Sequence, residues 1–230
     1  MIAAMAPRAI LLDALGTLVA LEPPAPRLIA LMAARHAIEV SPAGAKRALR
    51  AEMTYYRAEC IRASDDDALE QLRLECAAIL ARELGGAVLE LPPAALRSTL
   101  LDSLAFVAFP DARPALARWH AAGARLVVAS NWDISLHGVL AQVGLLDGLD
   151  AVVTSAEVGS SKPAGELFAA ALARAGVDAS AAVHIGDSLA ADVEGARAAG
   201  IEAVWLRRSS DASGGSAPAG VRVIATLEDF

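Results

Sequence analysis

The chain has 230 residues, of which 56% are hydrophobic and 20% are charged, and its formal net charge at pH 7 is −7. This length and apolar content allow one large core and a small second module, which excludes a disordered chain and an array of many domains. The acidic balance argues against a nucleic-acid-binding protein, which needs a basic surface. The apolar runs are too short for a membrane span and the N-terminus lacks the basic start of a signal peptide, which predicts a cytoplasmic protein without membrane contact.

The chain begins with a short apolar run and continues with a long helical block. Arg8 to Ala14 is predicted to be a buried strand with Asp13 near its carboxyl end. From Leu21 the Ala, Leu, Arg and Glu periodicity predicts helices without an intervening strand, at Pro26 to Ile38, Pro42 to Ile61, Asp65 to Leu84 and Pro92 to Leu104. Ser41 and Ser64 are the predicted N-caps of the second and third of these helices.

After Pro110 the pattern changes to an alternation of helices and strands. The predicted helices are Ala112 to Ala122, Ile134 to Val143, Ala164 to Ala175 and Leu189 to Ala199. The predicted strands are Arg125 to Ala129, Ala151 to Thr154, Ala182 to Ile185, Ala203 to Leu206 and, after an exposed loop from Ser209 to Gly220, Val221 to Ala225. Such an alternation predicts an α/β fold, a Rossmann-like parallel sheet with helices on both faces.

The first strand belongs with this alternating half. The predicted domains are therefore a core of residues 1–20 and 109–230 and an inserted α-helical bundle of residues 21–108. An inserted bundle near the carboxyl edge of a sheet could act as a cap over a ligand, because open α/β sheets bind ligands at that edge.

Polar residues follow four of the predicted strands. They are Asp13, Ser130 with Asn131, the loop from Ser155 to Lys162, and Asp187, and Asp192 follows in the first turn of the next helix. Because a parallel sheet brings the carboxyl ends of its strands to one edge, these residues are expected to form one site.

Lys162 is unusual in this composition. The chain has two lysines, Lys46 and Lys162, against eighteen arginines. A lysine kept in a loop indicates that a compact point charge is needed there, as for a phosphate or a carboxylate, where the guanidinium fork is too large. Lys46 lies in a predicted solvated helix face.

These residues occur within four motifs in a fixed order. They are DALGTL from Asp13, VVASN ending at Asn131, SSKP ending at Pro163, and HIGDSLAADVEGARAAG from His184. Together they resemble the motifs of the haloacid dehalogenase superfamily, and the helical block lies where that superfamily inserts an α-helical cap. The resemblance covers essentially the whole chain.

The resemblance implies a role for each site residue. Asp13 would be the nucleophile that forms a covalent aspartyl intermediate. The phosphate oxygens would be held by Ser130 together with Asn131, Gly16 and Thr17, and Lys162 would neutralise the nucleophile and the transferring group. Mg²⁺ would be bound by Asp13, Asp187 and the carbonyl of Leu15, and Asp192 would hold a metal-bound water or orient Lys162.

Leu15 departs from the pattern of the superfamily's phosphatases, which usually carry a second Asp there as general acid. Its apolar side chain cannot transfer a proton, which resembles the metal-free 2-haloacid dehalogenase branch and also the phosphonatase branch. Asp187 instead favours a Mg²⁺ site and phosphoryl chemistry, because Asp13, Asp187 and Asp192 would repel one another unless a divalent cation lay among them.

The sequence therefore predicts a Mg²⁺-dependent phosphatase that acts on a small phosphorylated metabolite. Two alternatives remain: a 2-haloacid dehalogenase that forms an aspartyl ester, and a protein that binds phosphate with little turnover. The substrate is not specified by the sequence, and either a monomer or a homodimer is compatible with it.

Overall fold

A computed structural model describes residues 7–208 and 216–230. The chain divides into two compact units: an α/β unit of Met1–Ala20 with Ala108–Phe230, and a helical unit of Leu21–Val107. The role of the helical unit as a cap stays a prediction. Of the predicted loop from Ser209 to Gly220, residues 209–215 lie outside the described part of the chain.

The α/β unit is built on a six-stranded sheet in which every strand pair is parallel. In chain order the strands of the described residues are β1 Ala9–Leu12, β2 Val19–Leu21, β3 Phe106–Ala108, β4 Arg125–Ser130, β5 Ala151–Thr154, β6 Ala182–Gly186, β7 Glu202–Leu206 and β8 Arg222–Ile224. The sheet order is β5-β4-β1-β6-β7-β8, which places β1 between β4 and β6. The α/β class with a parallel Rossmann-like sheet is thereby confirmed.

Nine α-helices accompany these strands in the described residues. They are α1 Pro24–His36, α2 Pro42–Glu59, α3 Asp66–Leu84, α4 Pro93–Ser103, α5 Ala112–Ala121, α6 Leu136–Gln142, α7 Ser155–Val158, α8 Gly165–Ala175 and α9 Gly195–Ala198. Short 3₁₀ turns lie between several of them, and a π-helical turn, Leu189–Glu194, leads into α9. Within the described part of the chain, no helix is both long enough and apolar enough to cross a bilayer.

The core of the α/β unit explains why the strands read as continuous apolar runs. All four residues of β1 are buried, because helices cover both faces of a parallel sheet. On one face, Leu11 and Val127 pack in a cluster with Phe168 of α8 and Trp205 of β7. This packing holds the carboxyl ends of the central strands in fixed positions.

Three local predictions were wrong. The strands β2 and β3 form a two-stranded sheet at the two ends of the block predicted to contain no strand, because three-residue strands are too short to show a period in the sequence. Asp65, rather than Ser64, caps α3 by accepting the Ala68 N–H at 2.8 Å. Part of the loop predicted from Ser155 to Lys162 is the helix α7, which starts with a capping box between Thr154 and Glu157. The helix predicted from Leu189 to Ala199 is present, with Leu189–Glu194 as the π-helical turn and Gly195–Ala198 as α9.

The helical unit buries one carboxyl group. Glu52 of α2 is 4% exposed, and its Oε2 has no hydrogen-bond partner among the described residues. Burial raises the pKa of Glu52 to about 6, although a hydrogen bond with the Cys76 side chain acts in the opposite direction. Folding therefore favours the protonated form of this side chain.

We expect Glu52→Gln to stabilise the protein in a pH-dependent way. The unfolded chain loses this proton near the ordinary pKa of 4.5 and the folded chain only near 6, so the wild type loses stability as pH rises between these values. The free energy of unfolding of the variant relative to wild type should therefore rise by about 2 kcal/mol between pH 4 and pH 7. Denaturant unfolding measures this difference, with exposed Glu39→Gln as control. A difference that does not change with pH would contradict the assignment.

Candidate functional site

The site begins at the carboxyl ends of β1 and β4. Asp13 follows β1 directly and is 7% exposed, and Ser130 is the last residue of β4. Because Leu12 pairs with Val128 in the parallel register, the strands β1 and β4 end at the same edge of the sheet. The Ser130 hydroxyl donates a hydrogen bond to Asp13 Oδ1 at 3.0 Å. One carboxylate oxygen is thus oriented by the neighbouring strand.

Lys162 brings the positive charge of the site. It is 5% exposed, and its Nζ lies 2.6 Å from Asp13 Oδ1 and 2.6 Å from Asp192 Oδ1. Its backbone is held by the amide of Asn131, which accepts the Lys162 N–H at 2.7 Å and donates to the Lys162 carbonyl at 2.9 Å. Asn131 therefore orients the lysine loop, and its predicted contact with substrate stays a prediction.

Asp192 lies in the π-helical turn and is held on both oxygens. Oδ1 accepts from Lys162 and lies 2.9 Å from His184 Nε2, and Oδ2 accepts the Ser188 N–H at 2.9 Å. Close packing explains Gly186 at the end of β6, because a Cβ there would lie 2.2 Å from Asp192 Cγ. The carboxylate therefore rests directly against the backbone of β6.

Three carboxylates converge at this edge. One oxygen each of Asp13, Asp187 and Asp192 lies within 4.8 Å of the others. Asp187 lies at the solvent-exposed mouth of the cluster, beside Gly16, where a Cβ would come within 2.2 Å of Asp187 Oδ2. Gly16 has φ +85°, a conformation of the turn that favours glycine, and the absence of a Cβ leaves space for this carboxylate.

The electrostatics of the cluster are unbalanced. Burial raises the pKa of Asp13, although the Lys162 ammonium acts in the opposite direction. Partial burial of the carboxyl group, together with the charges of Asp13 and Asp192, raises the pKa of Asp187 to about 7. Burial disfavours charge on Lys162 as well, but the two carboxylates that it contacts keep its pKa above the ordinary value. The cluster therefore has three carboxyl groups and one ammonium group. Oxygen ligands with surplus negative charge suit a hard divalent cation.

The loop after β1 carries the other predicted residues. The Gly16 N–H donates to the Val19 carbonyl at 2.9 Å and the Thr17 N–H to the Ala14 carbonyl at 3.3 Å, so both amides are used within the turn. Thr17 is fully buried, and its Oγ1 has no hydrogen-bond partner among the described residues. Contacts of Gly16 and Thr17 with substrate stay predictions, as does a role of the half-buried Leu15 in metal binding.

Sequence reasoning did not identify Arg208, whose side chain binds the backbone of this loop. Its guanidinium donates to the carbonyls of Gly16 at 3.2 Å and Thr17 at 2.6 Å, pairs with both oxygens of Asp111 at 2.8 and 3.0 Å, and stacks on Phe109 at 3.8 Å. Asp111 also accepts the Leu227 N–H at 2.8 Å. No sequence signal connects these distant segments, because only the fold brings them together.

The fold and the buried carboxylate–lysine centre at its sheet edge define an enzyme of the α/β class. The chain belongs to the haloacid dehalogenase-like hydrolase family, whose model matches residues 7–200. That match includes the four motifs together with Asp13, Ser130, Lys162, Asp187 and Asp192.

Several relatives of known name are similar to parts of the chain. Ribulose-1,5-bisphosphate 5-phosphatase of Halopiger xanaduensis is 36% identical over 50% of this chain and 47% of its own length. Phosphoserine phosphatase of Thermus thermophilus is 38% identical over 44% of this chain and 41% of its own length. The mouse haloacid dehalogenase-like hydrolase domain-containing protein 3 is 41% identical over 38% of this chain and 35% of its own length. The chain thus spans less than half the length of these relatives.

Solved structures share the fold over nearly the whole chain. A putative hydrolase of the family from Bacillus subtilis, bound to magnesium, has a TM-score of 0.72 at 19% identity and covers 97% of this chain and 96% of its own. The 2-haloacid dehalogenase of Pseudomonas syringae has a TM-score of 0.64 at 21% identity and covers 96% of this chain and 95% of its own. Identities this low establish the fold and leave the reaction open.

Proposed function

We propose that the protein is a Mg²⁺-dependent phosphatase that acts on a small phosphorylated metabolite. The observation that carries this proposal is the cluster of Asp13, Asp187 and Asp192, whose oxygens lie within 4.8 Å of one another with one lysine among them. Relatives named as phosphatases of ribulose bisphosphate and phosphoserine support the same reaction class.

Mg²⁺ would be held by Asp13, Asp187 and the backbone carbonyl of Leu15. The donor set fits this ion, because hard carboxylate and carbonyl oxygens are its preferred protein ligands. When bound, the ion supplies positive charge that offsets the carboxylates and polarises a phosphoryl oxygen.

Asp13 would act as the nucleophile. Its carboxylate is oriented by Ser130 and Lys162, which both contact Oδ1, and one carboxylate oxygen would attack phosphorus. The bond from phosphorus to the leaving oxygen breaks, and that oxygen takes the electron pair. Water then attacks the phosphorus of the aspartyl phosphate, which releases inorganic phosphate and restores Asp13. The ammonium of Lys162 would neutralise charge on the phosphoryl oxygens during both steps, and Ser130 would donate to one of them.

The 2-haloacid dehalogenase is the second candidate, and Leu15 is the observation that favours it. A halide leaves without protonation, so an apolar residue at this position is no disadvantage in that reaction. The three-carboxylate cluster favours the phosphatase, because a metal-free site would leave these charges close together with a single counter-charge.

We expect phosphate release to depend on Mg²⁺. The assay uses 4-nitrophenyl phosphate, ribulose bisphosphate, phosphoserine and 2-chloropropionate, each with Mg²⁺ and with chelator. Phosphate release should disappear in chelator and return on addition of Mg²⁺. Asp187→Asn should lower it by about 10²-fold or more, because several kcal/mol of charge stabilisation depends on the metal.

The control for the lost charge is Asp147→Asn, an exposed aspartate in the same unit. It should keep wild-type activity and the wild-type Mg²⁺ requirement. Chelator-insensitive release of chloride from 2-chloropropionate would replace the phosphatase with the dehalogenase.

A further inference from the structure

His184 is a buried side chain next to the site that the proposed mechanism does not use. It lies in β6 with 0% exposure, and its Nε2 is 2.9 Å from Asp192 Oδ1. The same oxygen accepts Lys162 Nζ at 2.6 Å, and Lys162 in turn contacts Asp13 Oδ1 at 2.6 Å. Four buried side chains therefore form one chain of contacts that ends at the predicted nucleophile.

The surroundings of His184 define which ring nitrogen carries the proton. Nε2 faces a carboxylate oxygen that already accepts from an ammonium, so the contact is favourable only when Nε2 donates. Nδ1 is buried and has no partner among the described residues, and a proton there would be an unpaired buried donor. The tautomer with its proton on Nε2 satisfies both conditions.

The ring itself has little freedom. The Phe168 ring meets it edge to face, with centroids 5.1 Å apart and an interplanar angle of 90°. Phe168 is part of the packed core and is fully buried. The imidazole donor is therefore aimed at Asp192 by packing.

The orientation of the Asp192 carboxylate depends on the His184 donor. The Ser188 N–H holds Oδ2, and among the described residues Oδ1 is contacted by the side chains of Lys162 and His184. A lysine side chain has four rotatable bonds, so its ammonium stays at Asp13 only if the opposing carboxylate is fixed. His184 supplies the second contact that fixes it.

We propose that His184 is a positioning residue: its Nε2–H orients Asp192, and Asp192 directs the Lys162 ammonium onto Asp13. The inference rests on the proposed function only for what Lys162 does in turnover. The placement of Lys162 itself can be measured without any substrate.

The two lysines of the chain make this measurement direct. Lys46 is exposed in the helical unit and provides an internal reference for the buried Lys162. Acetic anhydride labelling of the full chain, read by peptide mass spectrometry, gives the ratio of Lys162 to Lys46 modification. His184→Phe keeps a ring of similar size and removes the donor, His184→Gln keeps a donor near the same point, and Ile185→Val is a mild core change on the same strand.

We expect the ratio to rise about ten- to hundredfold in His184→Phe, because a hydrogen bond to a charged group is lost. It should stay near the wild-type value in His184→Gln and in Ile185→Val. An unchanged ratio in His184→Phe overturns the proposal, and so does an equal rise in all three variants, which would indicate general loosening of the core.

Turnover then provides the second measurement, on the phosphate ester cleaved best by the wild type. The value of kcat should fall about ten- to hundredfold in His184→Phe with KM and the Mg²⁺ requirement nearly unchanged, and His184→Gln should restore most of it. A wild-type kcat in His184→Phe overturns the proposal. If the wild type cleaves no phosphate ester, the proposed function fails, while the labelling ratios still decide whether His184 positions Lys162.

Discussion

Asp13→Asn should abolish phosphate release, with a residual rate below about 10⁻⁴ of wild type, because removal of a nucleophile eliminates the covalent route. The amide matches the carboxylate in shape and can keep the Ser130 contact, which wild-type Asp13 makes at 3.0 Å. Lys162 also keeps Asp192 as a partner at 2.6 Å. The loss is therefore expected to be chemical, with the melting temperature close to that of wild type. Steady-state rates and thermal unfolding measure the two effects, with Asp147→Asn as control.

A single turnover in ¹⁸O-labelled water distinguishes the two covalent schemes. In the phosphatase, water attacks phosphorus, so the label appears in inorganic phosphate and Asp13 stays unlabelled. In the dehalogenase, water attacks the carbonyl carbon of the aspartyl ester, so the label appears in the Asp13 carboxylate. Undiminished turnover in Asp13→Asn would contradict both schemes, and phosphate binding without turnover in the wild type would favour the binding protein.

The parallel sheet could be predicted because its strands are buried on both faces. Ala9–Leu12 is a continuous apolar run and Ala182–Gly186 is an apolar run apart from His184, and both are fully buried between loop residues. The convergence of Asp13, Ser130 and Asp187 follows from the same geometry, because parallel neighbours end at one edge. Composition alone drew attention to Lys162, whose ammonium the structure places 2.6 Å from Asp13.

The contacts that hold these side chains could not be predicted in the same way. His184 has the sequence environment of a core strand residue, and its contact with Asp192 depends on how the π-helical turn returns toward β6. Asn131 pairs with the Lys162 backbone across 31 positions, and Arg208 reaches Thr17 across 191. Such pairings need the complete tertiary structure, because no local period or spacing specifies them.

The apolar side chain of Leu15 should make the enzyme sensitive to its leaving group. General acid catalysis typically contributes 10²–10⁴-fold, and an alkyl alcohol depends on it far more than an aryl or acyl leaving group, which departs as a stable anion. The wild type should therefore prefer aryl and acyl phosphates over alkyl and sugar phosphates. Asp133 follows the second motif, but it is 2% exposed and its Oδ1 accepts the Ser135 N–H at 2.6 Å, in the turn before α6. This hydrogen bond gives Asp133 a structural role in the turn.

Leu15→Asp should raise kcat/KM for alkyl phosphates by up to about 10²-fold and leave aryl phosphates nearly unchanged, because only the poor leaving group gains from a proton donor. Leu15→Asn is the matched control, since it has the same polar shape without an acid and should not produce the gain. Leu15 is two residues from Asp13 and its carbonyl belongs to the predicted metal site, so the Mg²⁺ requirement and thermal stability of both variants are measured first. Wild-type cleavage of alkyl phosphates as fast as aryl phosphates would contradict the prediction. In that case a large loss in Asp133→Asn, confined to alkyl phosphates, would identify Asp133 as the acid.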